Sequence, residues 1–139
     1  MRRRLTRRSR GLAMTSKSKR KASKAQRIEL GFLEGVRRRC PDATHVLKPL
    51  GDLYTRVGCY EEGLDVDLAL TRLCPEDSEV WYNLGCSCAL TSKPDEALKA
   101  LARAIDLGYD DAEWMTNDAD LSALRDDPQF DALLERVRN

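Results

Sequence analysis

With 139 residues, 42% of them hydrophobic, the chain is long enough to bury one sizeable core. Its formal net charge of +1 conceals a division: residues 1–27 hold twelve Lys or Arg and no acid, so the other 112 carry twelve bases against 23 acids, a net of −11. No run approaches the length of a membrane span, about 20 consecutive apolar residues, and no apolar stretch follows Arg7-Arg8, which speaks against a secretory or twin-arginine signal.

Residues 1–23 have few apolar side chains and no periodicity, so they cannot bury enough surface to offset the entropy of ordering. They are predicted to be a disordered basic tail, with Arg2, Arg3, Arg4, Arg7, Arg8, Lys19, Arg20 and Lys21 as its charges. A start at Met14, with the arginine-rich segment before it read through from upstream, is the alternative. From residue 24 the pattern changes. Ile28, Phe32, Leu33 and Val36 recur at helical spacing and predict a leading amphipathic helix over 24–40. Cys40-Pro41 ends it, since a residue before proline is pushed out of the helical region.

A shift of 34 residues then superimposes the chain on itself. Cys40-Pro41 lands on Cys74-Pro75, Val46 on Val80, Leu50-Gly51 on Leu84-Gly85, Glu62 on Glu96, Leu64 on Leu98 and Leu73 on Leu107. A fixed period of this length signals a tandem array of helical hairpins. Leu47 and Trp81, Leu50 and Leu84, Tyr54 and Cys88 predict one buried stripe on each first helix. Thr44 and Ser78 are read as N-caps, Gly58 as the end of one helix and Pro94 as the first turn of another. Gly51 and Gly85 fall inside helices, where glycine costs about 1 kcal/mol against alanine, and imply close helix–helix approach.

These residues resemble the tetratricopeptide repeat: Trp81, Leu84, Gly85, Ala97, Leu101 and Ala104 in residues 78–111, and Leu47, Leu50, Gly51, Tyr54, Gly63 and Pro75 in residues 44–77. Leu47, Asp67, Leu70, Cys88 and Tyr109 depart from the usual pattern, and Pro49 sits in an early helical turn. The resemblance implies an all-α fold, a right-handed superhelix of antiparallel hairpins with about seven helices. Residues 112–139 resemble a C-terminal capping segment. Trp114 is expected to cover the open edge, Asp127-Pro128 to start a final helix, and Phe130, Leu133, Leu134 and Val137 to form its apolar stripe.

Little in the chain points to catalysis. There is no phosphate loop and no nucleophile–base pair, so no enzyme activity and no cofactor are expected. With one histidine and five cysteines at uneven spacing, no metal site is expected either; Cys40, Cys59, Cys74, Cys86 and Cys88 read as small apolar fillers in a reducing, cytoplasmic setting. The carboxylates Asp110, Asp111, Glu113, Asp118, Asp120, Asp126 and Asp127 read as solubilising and helix-capping groups.

The resemblance implies that ligands are met by the first helix of each hairpin. Carried over, this predicts a partner-binding groove lined by His45, Lys48, Asp52, Thr55 and Arg56, then Glu79, Tyr82, Asn83, Cys86 and Leu90. The expected function is an adaptor that binds a peptide or protein segment there. The basic tail supports an alternative, a nucleic-acid- or ribosome-associated factor held by salt-sensitive phosphate contacts. A dedicated chaperone for a secreted or assembly partner is a third reading. Weak homo-oligomerisation through exposed array ends is also open.

Overall fold

The computed structural model describes residues 21–139. Among them are seven α-helices and one 3-10 helix, and no strand. They are α1 (Lys24–Arg39), α2 (Thr44–Arg56), α3 (Tyr60–Leu73), α4 (Ser78–Leu90), α5 (Pro94–Asp106), α6 (Ala112–Asn117), the 3-10 helix (Ala119–Leu124) and α7 (Pro128–Arg138). They form two compact units, one ending at Gly63 and one beginning at Leu64. Of the expected tail, Lys21 is exposed; Arg2, Arg3, Arg4, Arg7, Arg8, Lys19 and Arg20 lie outside the described residues.

In the first unit, Ser23 starts α1 with a capping box. Its hydroxyl accepts from the Gln26 amide at 3.1 Å, and its own amide donates to the Gln26 side chain at 2.9 Å. Arg37, Arg38 and Arg39 sit in the last turn, where the helix dipole favours positive charge. The buried face of α1 is only partly the one expected from the sequence. Leu30 and Leu33 are buried, Val36 is half-buried, and Ile28 and Phe32 are 64% and 69% exposed. Leu30 lies about 200° around the helix from Ile28, so the helix has apolar residues on two faces. The face holding Leu30, Leu33 and Glu34 meets α2, where the Tyr54 hydroxyl donates to Glu34 at 2.6 Å. Ile28 and Phe32 offer no such acceptor.

Helix α2 buries Val46, Leu47, Leu50, Gly51, Leu53 and Tyr54. Its N-cap is Ala43, which makes no side-chain bond, and that of α4 is Asp77, whose carboxylate accepts from the Glu79 and Val80 amides. Thr44 and Ser78, expected as caps, are therefore already the first helical residues. At its other end, α2 closes with Gly58 at φ 81°; the Cys59 amide reaches back to the Tyr54 carbonyl and that of Gly58 to Thr55. The same closure recurs 34 residues on. Ser92 takes the left-handed conformation at φ 60°, and the Lys93 amide bonds the Cys88 carbonyl at 2.9 Å.

In the second unit α4 packs on α5, α4 on the 3-10 helix, and α7 on both α5 and α6. Gly85 permits the first of these contacts, because a Cβ there would stand 2.8 Å from Leu101 Cγ and Cδ2. Met115, Leu121, Leu124, Phe130, Leu133 and Leu134 join the core from the capping segment, with Val137 packed against it. Asp111, Asp118 and Asp127 each cap the helix that follows, and Pro94 and Pro128 occupy first turns. Two tryptophan expectations need correction. Trp81 is only half-buried, its indole N–H donating to the Pro75 carbonyl at 2.8 Å. Trp114 is 61% exposed, and the buried Met115 beside it fills the core instead.

Leu30→Ala should cost about 2–5 kcal/mol and Phe32→Ala less than about 0.5 kcal/mol in chemical denaturation; equal losses would restore the face expected from sequence. Ser92→Gly should stabilise the chain by about 0.5–1 kcal/mol, since only glycine adopts the left-handed region without strain. An unchanged denaturation midpoint would show that the Ser92 turn carries no strain.

Candidate functional site

The residues assigned to a groove divide between the two units. In the first, His45, Lys48, Asp52 and Arg56 are exposed along α2 at spacings of three and four, so one face of the helix carries them all. Asp52 and Arg56 pair at 3.1 Å with both side chains more than half exposed, an arrangement that contributes about 0.3–0.5 kcal/mol. Thr55 is half-buried and turns its hydroxyl back to the Gly51 carbonyl.

In the second unit, Glu79 and Asn83 are exposed on α4 and Leu90 is half-buried. Tyr82 and Cys86, expected at the open surface, are buried. The chain itself covers them. Tyr109 stacks on Tyr82 with ring centroids 4.3 Å apart and planes 7° from parallel. The Tyr82 hydroxyl donates to Asp118 Oδ2 at 2.7 Å, and the Cys86 thiol lies 3.6 Å from the same oxygen. The other Asp118 oxygen accepts from the Asp120 amide.

This cluster is electrostatically coherent. Burial, reinforced by the neighbouring Cys86 and Asp118, holds the Tyr82 phenol far above its ordinary range. Burial and the Asp118 and Asp120 charges likewise push the Cys86 thiol up. Tyr109 is raised to about 12, chiefly by burial. Asp120 is raised by burial and then by the charge of Asp118. Tyr82 and Cys86 are thus neutral donors around one carboxylate. Cys86, Asp118 and Asp120 place their ligand atoms within 4.8 Å of one another. The Asp118 oxygen nearest the thiol accepts the Tyr82 hydroxyl.

Beside the cluster is an open cavity of about 550 Å³ between α4 and the Gly108–Trp114 segment. Glu79, Tyr82 and Asn83 form one wall, and Tyr109, Asp110, Asp111 and Trp114 the other. Asp111 is fixed by capping α6, its carboxylate accepting from the Trp114 amide at 2.9 Å. The wall formed by Tyr109 to Trp114 was not assigned to a site from sequence. Its one signal is Tyr109, which stands 34 residues after Pro75 and replaces the closing proline with an aromatic ring.

Comparison with known proteins bears on the fold. The MamA RS-1 ArsTM double mutant matches with a TM-score of 0.68 at 16% identity, over 83% of this chain and 65% of that one. The fold is a tetratricopeptide-like helical repeat. A chloroplastic protein of Arabidopsis thaliana is 30% identical over 132 residues, 93% of this chain and 34% of the plant protein. The chain therefore spans about a third of the length of that curated relative. No family model matches it. No helix among the described residues is long and apolar enough to cross a membrane.

The burial of Tyr82 makes its ring part of the core and not of an open groove. Tyr82→Ala should destabilise the chain by about 3–5 kcal/mol, and Tyr82→Phe, which keeps the ring but loses the hydroxyl bonded to Asp118, by about 1.5–3 kcal/mol. Thermal and chemical denaturation of the two variants check this; a fully stable Tyr82→Ala would place the ring outside the core.

Proposed function

We propose that this chain is a non-catalytic adaptor that binds a segment of another polypeptide, and that the cavity lined by Asn83 and Trp114 is its contact surface. The supporting observation is Trp114. A tryptophan left largely exposed on the rim of a concave surface loses the benefit of burial in the free protein. Aromatic side chains in such positions dominate protein–protein contacts. The walls are set by α4 and by a capped α6, so little ordering remains to be done in the protein when a ligand arrives.

The exposed side chains His45, Lys48, Asp52 and Arg56 on α2 form a second candidate contact face in the first unit. The sequence-level alternative, nucleic-acid or ribosome association, rests on the basic residues before 24. The second unit speaks against extending it: residues 64–139 carry seventeen acids and seven bases, a net of −10 that repels phosphate. We propose a cytoplasmic location with this reading. The relative named chloroplastic favours an organelle instead, and imaging of a tagged full chain separates the two.

The test is affinity capture from source extract on the immobilised full chain, compared with its Trp114→Ala variant at equal loading. A polypeptide held by the wild type, resistant to nuclease, and reduced about tenfold or more by Trp114→Ala supports the adaptor reading. Material that nuclease releases, and that Trp114→Ala retains unchanged, sinks it in favour of the basic segment.

A further inference from the structure

We infer that the cavity between α4 and the Gly108–Trp114 segment is built for a cationic side chain, an arginine or lysine projecting from an apolar stretch of the bound polypeptide. The inference rests on the adaptor reading and names the chemistry of its ligand.

The lining carries three carboxylates, Glu79, Asp110 and Asp111, and no lysine, arginine or histidine. Glu79 and Asp110 are exposed and enter no salt bridge among the described residues. Asp111 is held in place as the cap of α6. An anionic group, such as a polypeptide's terminal carboxylate, would enter this space against like charge on both walls. A cation would find partners on both.

The aromatic side chains sharpen the choice. Trp114 offers an exposed indole, and Tyr109, fixed by its stack on Tyr82, offers a second ring on the same rim. A guanidinium or ammonium within about 6 Å of such a ring is attracted by its quadrupole, most strongly by tryptophan. The guanidinium is flat, weakly hydrated and able to engage a carboxylate through two parallel bonds, so arginine fits a site of rings and carboxylates better than lysine does. At about 550 Å³ the cavity lies within the usual range for ligand sites, roughly 300–1,000 Å³, with room for apolar neighbours against Trp114. Asn83 adds a donor and an acceptor for the ligand's main chain. The net charge of −10 on residues 64–139 would speed the encounter with such a segment and make it salt-dependent.

The test is selection of random peptides displayed on phage against the full chain, followed by synthesis of the enriched sequences and calorimetric titration. Enriched peptides should share an arginine or lysine next to apolar residues. Replacing that base by glutamine should weaken binding about tenfold or more, and so should Glu79→Gln combined with Asp110→Asn in the protein. Trp114→Phe should retain more affinity than Trp114→Ala. These substitutions change exposed side chains, and circular dichroism of each variant confirms that its helices are kept. Enriched peptides without a shared base, or bound equally well by the Glu79→Gln, Asp110→Asn variant, overturn the cationic ligand while leaving the adaptor reading in place. A selection that enriches nothing overturns both.

Discussion

The hydroxyl of Tyr82, 2.7 Å from the Asp118 carboxylate, joins α4 to the capping segment, and the geometry of the cavity depends on that bond. Asp118 is itself held by its role as cap of the 3-10 helix, so the acceptor has little freedom of its own. The Tyr109 ring then lies flat on Tyr82 and positions Asp110 and Asp111 just beyond it. Asp111 caps α6 and turns Trp114 to the rim. A contact made by one buried phenol thus stands behind three exposed side chains of the rim, Asp110, Asp111 and Trp114. The phenol stays protonated because burial and the neighbouring negative charge both disfavour its ionised form.

The repeat itself was legible in the sequence. Its period needs only that equivalent residues meet equivalent surroundings, and the matched helix closures at Gly58 and Ser92 show this in the structure. Less legible was which face of a helix turns inward. On α1 both Ile28–Phe32 and Leu30–Leu33 have helical spacing, and the face that turns inward is the one that also carries Glu34, the acceptor of the Tyr54 hydroxyl. The expected caps Thr44 and Ser78 were misplaced by one residue for a related reason. Asp77 is an equally good cap, and composition cannot rank two neighbouring candidates.

The site was harder to read than the fold because it arises from departures. Pattern matching treats Tyr109 in place of a proline as a weakened position. In the structure it is one half of a pair, the other half being Tyr82, 27 residues earlier. Asp67 behaves similarly. It stands where a bulky core residue is usual, yet it is buried and accepts the Ser87 hydroxyl at 2.5 Å, so its polarity is matched across the helix contact. A residue that breaks the repeat is tolerated when a second residue, distant in sequence, meets its polar or aromatic demand.

Such pairs have different consequences according to where they lie. Asp67 and Ser87 are both buried, so their bond can only specify packing. Tyr82 and Tyr109 lie at the edge of the core, and their stack leaves carboxylates and an indole facing water around one concavity. A capping segment in a helical array has to present a polar outer face to keep the last hairpin soluble. Here that face carries Asp110, Asp111 and Glu113 beside Trp114. Solubility alone asks for the acids and gives no reason for the exposed indole. An indole among carboxylates is the combination that attracts a cation, and this is the physical ground on which the end of the array is proposed as a contact surface.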